Sequence, residues 1–340
     1  MPVLKKIRVL VVDDSHLYRE VLSKGISTDP YIEVVAMAVD PFDARDKILK
    51  YKPDVMTCDI EMPKMNGIEF LKRLLPQYPI PVIVVSGVSE SVFEAMNAGA
   101  VDFVTKPDVQ SVKGIEKFLG DLIIKIRIAS KAKIGEIESS NITDIVSEQN
   151  TDTGRIIAIG ASTGGTEALY NILKAMPVTA PGIVVVQHIP PVFSRMFAER
   201  LDKQTHLRVK EAQPGDFVEQ GKVIIAPGDQ QMKVIKVGKR YNIELGGKEK
   251  VNGHCPSVDV LFESVAKAAG NKAVGIILTG MGYDGAKGLL AMKRKGARTI
   301  GQDEKSSVVY GMPKVAFDIG AVEKQTSLEK IPQLIFSMLK

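Results

Sequence analysis

Val82-Ile83-Val84-Val85 is apolar at four consecutive positions and ends at Ser86-Gly87. Successive side chains of a strand face opposite sides of its sheet, so a run with no polar alternate must be covered on both faces. Such a strand belongs in a parallel sheet with helices on each side. The same kind of run recurs outward from it, at Val9-Leu10-Val11-Val12, Val34-Val35-Ala36-Met37, Val55-Met56 and Val101-Asp102-Phe103-Val104, with amphipathic stretches between. One of these stretches, 15–28, reads as a helix with Ser15 as its N-cap and Leu17, Val21 and Leu22 on one side. The alternation predicts a doubly wound (βα)5 domain of the α/β class over 5–128.

Beyond it, residues 129–153 are rich in Lys, Glu, Ser, Asn, Asp and Thr without a sustained apolar face, which predicts a linker. A second series of buried-type strands follows, at Ile156-Ile157-Ala158-Ile159, Ile183-Val184-Val185-Val186, Val223-Ile224-Ile225-Ala226, 273–278 and Thr299-Ile300. Amphipathic segments at 167–176, 258–269 and 286–295 separate several of them. The half from 154 to 340 is therefore expected to be a second doubly wound, mainly parallel α/β domain. Two alternating runs in 232–245, around Gly238-Lys239, predict a β-hairpin within it.

Bulk composition agrees with two domains and narrows little else. At 340 residues the chain exceeds what one hydrophobic core holds, about 250–300. A net charge of +5, with Lys and Arg interleaved with acids, offers no basic face for nucleic acid. Cys58 and Cys255, far apart in sequence, form no disulfide framework, and no apolar run reaches the ~18 residues of a membrane span, so a cytoplasmic protein without membrane insertion is expected.

Three features of the first domain fall at the carboxyl ends of expected strands, where open α/β sheets bind ligands. Asp13-Asp14 follow the first strand, Asp59 the third and Lys106-Pro107 the fifth. Clustered carboxylates repel one another unless a cation sits among them, and an all-oxygen site suits Mg2+. Cys58 reads as a packed strand residue.

In the second domain, the strand ending at Ile159 runs through Gly160-Ala161-Ser162-Thr163-Gly164-Gly165 into a helix. A strand, glycine turn and helix can cradle a phosphate or present a nucleophilic serine, and the turn alone leaves both open. A serine nucleophile needs a base, usually a histidine oriented by a carboxylate. Of four histidines, His16 belongs to the first domain, His206 lies in a polar stretch, and His254, in the loop Asn252-Gly253-His254-Cys255-Pro256, follows no buried strand and is the weaker candidate. His188 directly follows Val184-Val185-Val186-Gln187, and Asp284 lies in Thr279-Gly280-Met281-Gly282-Tyr283-Asp284-Gly285 after a third strand. Ser162, His188 and Asp284 are thus expected to converge on one crevice, although Asp284 read alone would simply cap the helix from Gly285.

Val11-Val12-Asp13-Asp14, Asp59-Ile60-Glu61-Met62-Pro63 with Asn66-Gly67, Ser86-Gly87 and Thr105-Lys106-Pro107 resemble a response-regulator receiver domain. The resemblance implies Asp59 as the phosphorylation site, Mg2+ held by Asp14, Asp59 and the backbone carbonyl of Glu61 with Asp13 assisting, and Ser86, Phe103 and Lys106 as switch residues. In the second half, 160–165, Gln187-His188-Ile189-Pro190, Ala226-Pro227-Gly228, 256–262, 278–285 and Tyr310-Gly311-Met312-Pro313 resemble the CheB family of chemotaxis protein-glutamate methylesterases, which also share the receiver and linker arrangement.

That resemblance implies Ser162 as nucleophile, His188 as general base then acid, Asp284 as orienting carboxylate and the N–H of Met281 as oxyanion donor. It also implies hydrolysis of glutamate methyl esters on methyl-accepting chemotaxis receptors, with deamidation of receptor glutamines in some members. No cofactor is expected for the hydrolysis itself. The histidine kinase CheA is the implied phosphodonor. The arrangement of a phosphorylatable domain joined by a linker to a hydrolase suggests in addition that the unphosphorylated receiver covers the Ser162 crevice and that the charge on phospho-Asp59 shifts the docked population. One departure is Cys255, where many members carry Arg before Pro256-Ser257. A nucleotide-binding or a DNA-binding output domain is the alternative.

Overall fold

The computed structural model describes residues 5–107, 111–134 and 154–339. They fall into two compact units, one up to 136 and one from 137 onward. Residues 135–153, most of the expected linker, lie outside the described residues.

In the first unit the strands are β1 (Ile7–Val12), β2 (Ile32–Ala38), β3 (Val55–Asp59), β4 (Val82–Ser86) and β5 (Asp102–Thr105). They form one parallel sheet in the order β2-β1-β3-β4-β5. Helices α1 (His16–Ile26), α2 (Pro41–Tyr51), α3 (Gly67–Leu74), α4 (Ser91–Asn97) and α5 (Val112–Ala129) alternate with them. Val9, Leu10 and Val11 are fully buried, as are Val82 and Ile83, so the apolar runs are covered on both faces. Ser15 caps α1 by accepting the N–H of Tyr18, as its position predicts. The expected apolar side of this helix is corrected in part: Leu22 is buried as expected, together with Gly25 and Ile26, but Leu17 is 63% exposed. The helical stripe begins one turn later because Leu17 and Leu22 lie on different faces at 3.6 residues per turn.

The second unit carries β6 (Ile156–Ala161), α6 (Gly165–Lys174), β7 (Gly182–Gln187), α7 (Phe193–Gln204), β8 (Arg208–Glu211), β9 (Phe217–Val218), β10 (Lys222–Ile225), β11 (Met232–Val237) and β12 (Arg240–Leu245). After these come α8 (Val258–Ala269), β13 (Ala273–Ile277), α9 (Ala286–Arg294), β14 (Arg298–Gln302), α10 (Met312–Asp318), β15 (Lys324–Thr326) and α11 (Ile331–Leu339). Seven strands make a parallel sheet in the order β15-β14-β13-β6-β7-β10-β8. The expected hairpin is β11 with β12, paired from Met232 with Leu245 to Val237 with Arg240, and β9 adds a third antiparallel strand.

The order of this sheet positions the site. From β6 the chain steps to β7 on one side, whereas β13 lies on the other side of β6. Connections therefore diverge there, opening a crevice at the carboxyl ends of β6, β7 and β13. No helix among the described residues is long and apolar enough to cross a membrane.

Candidate functional site

Ser162, His188 and Asp284 all sit past the carboxyl ends of adjacent strands. Ala161 pairs with Gln187 in the β6–β7 register and Gly160 with Ile277 in β6–β13, so Ser162 and His188 are next-door continuations of neighbouring strands. The backbone carries this registry into the loops: His188 N donates to Ala161 O at 3.1 Å and Ser162 N to Thr279 O at 3.0 Å. Gly280 lets the third loop come this close, because a Cβ there would lie 2.6 Å from the Ser162 Cβ. Gln187 braces the first two loops, its Nε2 donating to Ser162 O at 2.9 Å and His188 O at 3.2 Å.

His188 Nε2 lies 2.9 Å from Asp284 Oδ2, with the histidine side chain 9% and the aspartate 1% exposed. His188 Nδ1 is buried and makes no hydrogen bond, and Ser162 Oγ makes none, among the described residues. A ring nitrogen without a proton and a hydroxyl are complementary acceptor and donor.

Asp284 does not cap the helix that follows it: Gly285 stands at the N-cap of α9 with no side-chain bond. Its carboxylate instead caps α8, accepting the N–H of Val258 at 2.7 Å and of Asp259 at 3.3 Å. Ser257 Oγ and Asn252 Nδ2 also donate to it, at 2.7 and 2.8 Å. Burial opposes ionisation of Asp284, but the hydrogen bonds from His188, Asn252 and Ser257 and the attraction of His188 outweigh it and hold the carboxyl well below the usual range. Gly280 O accepts from the N–H groups of Gly311 and Met312, which pins the strap before Met281. The Met281 N–H itself has no acceptor among the described residues.

His254 lies where sequence reasoning gave it little weight. Its ring stacks on that of His188, centroids 3.7 Å apart and planes 5° apart. Asn252, from the same turn, was missed altogether. Neither follows a buried strand, so the strand-end signal that found the other three could not find them. The Asn-Gly pair at 252–253, with both residues at positive φ, was the local hint of a tight turn.

In the first unit, ligand atoms of Asp13, Asp14 and Asp59 lie within 4.8 Å of one another. Lys106 Nζ is 2.6 Å from Asp59 Oδ2 and 2.9 Å from Asp13 Oδ2. Burial pushes the Asp59 carboxyl up; Lys106 opposes this and Asp13 adds to it. One ammonium faces two of these three carboxylates, so the donor set fits a hard divalent cation with oxygen ligands. The Glu61 N–H donates to Asp59 Oδ1 at 3.3 Å. Ser86 is buried, and its Oγ has no partner among the described residues. Phe103 is buried edge-on to Phe93, and Cys58 is packed beneath the cluster with its thiol pushed above its usual range by burial.

Residues 157–335 match the CheB methylesterase family. The chain belongs to that family. Residues 9–114 match the response regulator receiver domain. The chain is 57% identical over 99% of its length to a protein-glutamate methylesterase/protein-glutamine glutaminase of Syntrophomonas wolfei, covering 98% of that relative. A relative of the same name from Salmonella typhi is 44% identical over 99% of this chain and 98% of its own. The crystal structure of the Thermotoga maritima CheB methylesterase catalytic domain superposes with a TM-score of 0.54 at 38% identity, covering 55% of this chain and all of that one. These full-length matches are to methylesterases, not to regulators with a nucleotide- or DNA-binding output.

Proposed function

We propose that this chain hydrolyses γ-glutamyl methyl esters on methyl-accepting chemotaxis receptors, releasing glutamate and methanol, under the control of phosphorylation at Asp59. The observation that carries the reading is His188 held through Nε2 by an ionised Asp284 while its Nδ1 and the Ser162 hydroxyl stand open beside one another's strands.

Asp284 fixes the proton of His188 on Nε2, leaving Nδ1 to accept. As Ser162 Oγ bonds to the ester carbonyl carbon, its proton passes to Nδ1 and the imidazolium is stabilised by Asp284. The carbonyl oxygen takes the negative charge and faces the unspent Met281 N–H. Methoxide is a poor leaving group, so His188 returns the proton to it and the C–O bond breaks, leaving an acyl-enzyme on Ser162. His188 then takes a proton from water, whose oxygen attacks the acyl carbon, and gives it back to Ser162 as glutamate departs. A glutamine side chain passes through the same steps with ammonia leaving.

In the receiver, Asp14, Asp59 and the Glu61 carbonyl are the residues that would hold Mg2+, with Asp13 assisting. When bound, the ion supplies positive charge against the oxygens of an incoming phosphoryl group. Lys106 shares that task from its place beside Asp59, and the open Ser86 hydroxyl is ready to donate to a phosphoryl oxygen. CheA is the proposed phosphodonor.

Incubation of the full chain with methylated receptor, with and without a small phosphodonor, tests the reading. Methanol should appear and should rise with the phosphodonor and Mg2+. Absence of methanol under both conditions would contradict it.

A further inference from the structure

One hydrogen bond does not fix a ring. His188 is tied at Nε2 to Asp284, about which the imidazole can still swing and carry Nδ1 away from Ser162. The face of the ring is where the remaining freedom must be stopped, and His254 lies flat against it at 3.7 Å.

The turn that presents His254 is itself well held. Val251 and His254 exchange backbone hydrogen bonds, each 2.9 Å. Gln231, which is buried, donates from Nε2 to Glu249 O and His254 O and accepts the N–H of Ser257 on Oε1. From the same turn, Asn252 donates to both Asp284 and Asp259. One rigid turn therefore meets the face of the base and the far oxygen of its carboxylate.

Resting on the triad reading above, we propose that His254 is a positioning residue for the reaction, an uncharged aromatic plate that fixes the plane of His188 so that Nδ1 addresses Ser162. Flatness, size and neutrality are what the role demands. Burial, and after it repulsion from His188 when that ring is protonated, keeps His254 down to about 4, so it adds no second positive charge when His188 becomes imidazolium. Its π face instead meets the cation that forms. This separates it from the alternative role of a base, for which its nitrogens would have to take a proton.

The test uses the full chain and an organophosphonate reagent that labels a nucleophilic serine, followed by mass at Ser162, with receptor demethylation measured in parallel. His254→Ala should slow labelling and demethylation together by roughly 10- to 100-fold, the scale of a misplaced catalytic group. His254→Phe, which keeps the plate and removes the nitrogens, should restore both to within about threefold of wild type. Unchanged labelling in a folded His254→Ala chain overturns the proposal. So does equal loss in both variants with native circular dichroism, because the imidazole nitrogen would then be the active element. No labelling of the wild-type chain overturns the Ser162–His188 reading and this proposal with it. Labelling without demethylation leaves the positioning role to be judged on the labelling rates and places the fault in the proposed substrate.

Discussion

Asp284 Oδ2 lies 2.9 Å from His188 Nε2, and the same oxygen accepts the N–H of Val258 at 2.7 Å. The carboxylate is thus held from the side of α8 while it holds His188, and the hydrogen bonds it accepts come from donors on every side. Asp284→Asn keeps the shape but offers one acceptor oxygen to those donors and turns an amide N–H toward one of them. The substitution should lower kcat for methanol release by about 10³- to 10⁴-fold, the scale of a mis-set histidine tautomer. Near-native activity in a folded Asn variant would show that Asp284 is only a helix cap.

The approach of Gly280 to Ser162 predicts a second effect. Alanine at 280 would place its Cβ 2.6 Å from both the Ser162 Cβ and the Met312 Sδ. The serine lies on a backbone-bonded turn and cannot yield as a flexible side chain would. Gly280→Ala should cost about 1–3 kcal/mol by urea unfolding and reduce methanol release. Gly246→Ala, with open space around its Cβ, should change neither.

His254 also makes stability depend on pH. Its ordinary value is 6.5 in an open chain and about 4 in the fold, so between those limits the unfolded chain binds the extra proton. Stability is then full above about pH 6.5 and falls as the pH drops toward 4. Because part of the ring still meets solvent, the loss should be on the order of 1–2 kcal/mol. Thermal unfolding between pH 7 and 4 should show it in wild type, and His254→Phe should remove that portion of the slope. An unchanged slope would contradict the buried neutral state.

At the receiver, Lys106 is the single ammonium contacting both Asp13 and Asp59 among the described residues. Lys106→Met removes positive charge from a carboxylate cluster. Mg2+ titration should therefore give affinity tighter by about 3- to 10-fold, while phosphoryl incorporation at Asp59 falls. Weaker Mg2+ binding would mean that Lys106 organises the carboxylates rather than competing with the ion.

The fold and the strand-end placement of Ser162, His188 and Asp284 were legible because both follow from strand pattern. Runs such as Val82 to Val85 specify parallel strands, and a polar residue directly after such a run lies at the ligand-binding edge, which is how His188 and Ser162 stand out. The short strands β8 and β15 carry Arg208, Lys210, Lys324 and Gln325, and no apolar run marks them; they are edge strands that the sheet recruits by backbone pairing. Asn252 and His254 escaped for a different reason. Their contact with Asp284 and His188 spans 32 and 66 positions and depends on a turn closed by Gln231, so it exists only in the folded chain. The helix capped by Asp284 is likewise distant in sequence, and local pattern pointed to the wrong helix.

The proposed role of Ser162 as the nucleophile is tested by methanol release from methylated receptor by the Ser162→Ala chain in the presence of a small phosphodonor and Mg2+. Methanol release should be abolished while phosphoryl incorporation at Asp59 matches wild type. Methanol release at the wild-type rate by that variant would contradict it.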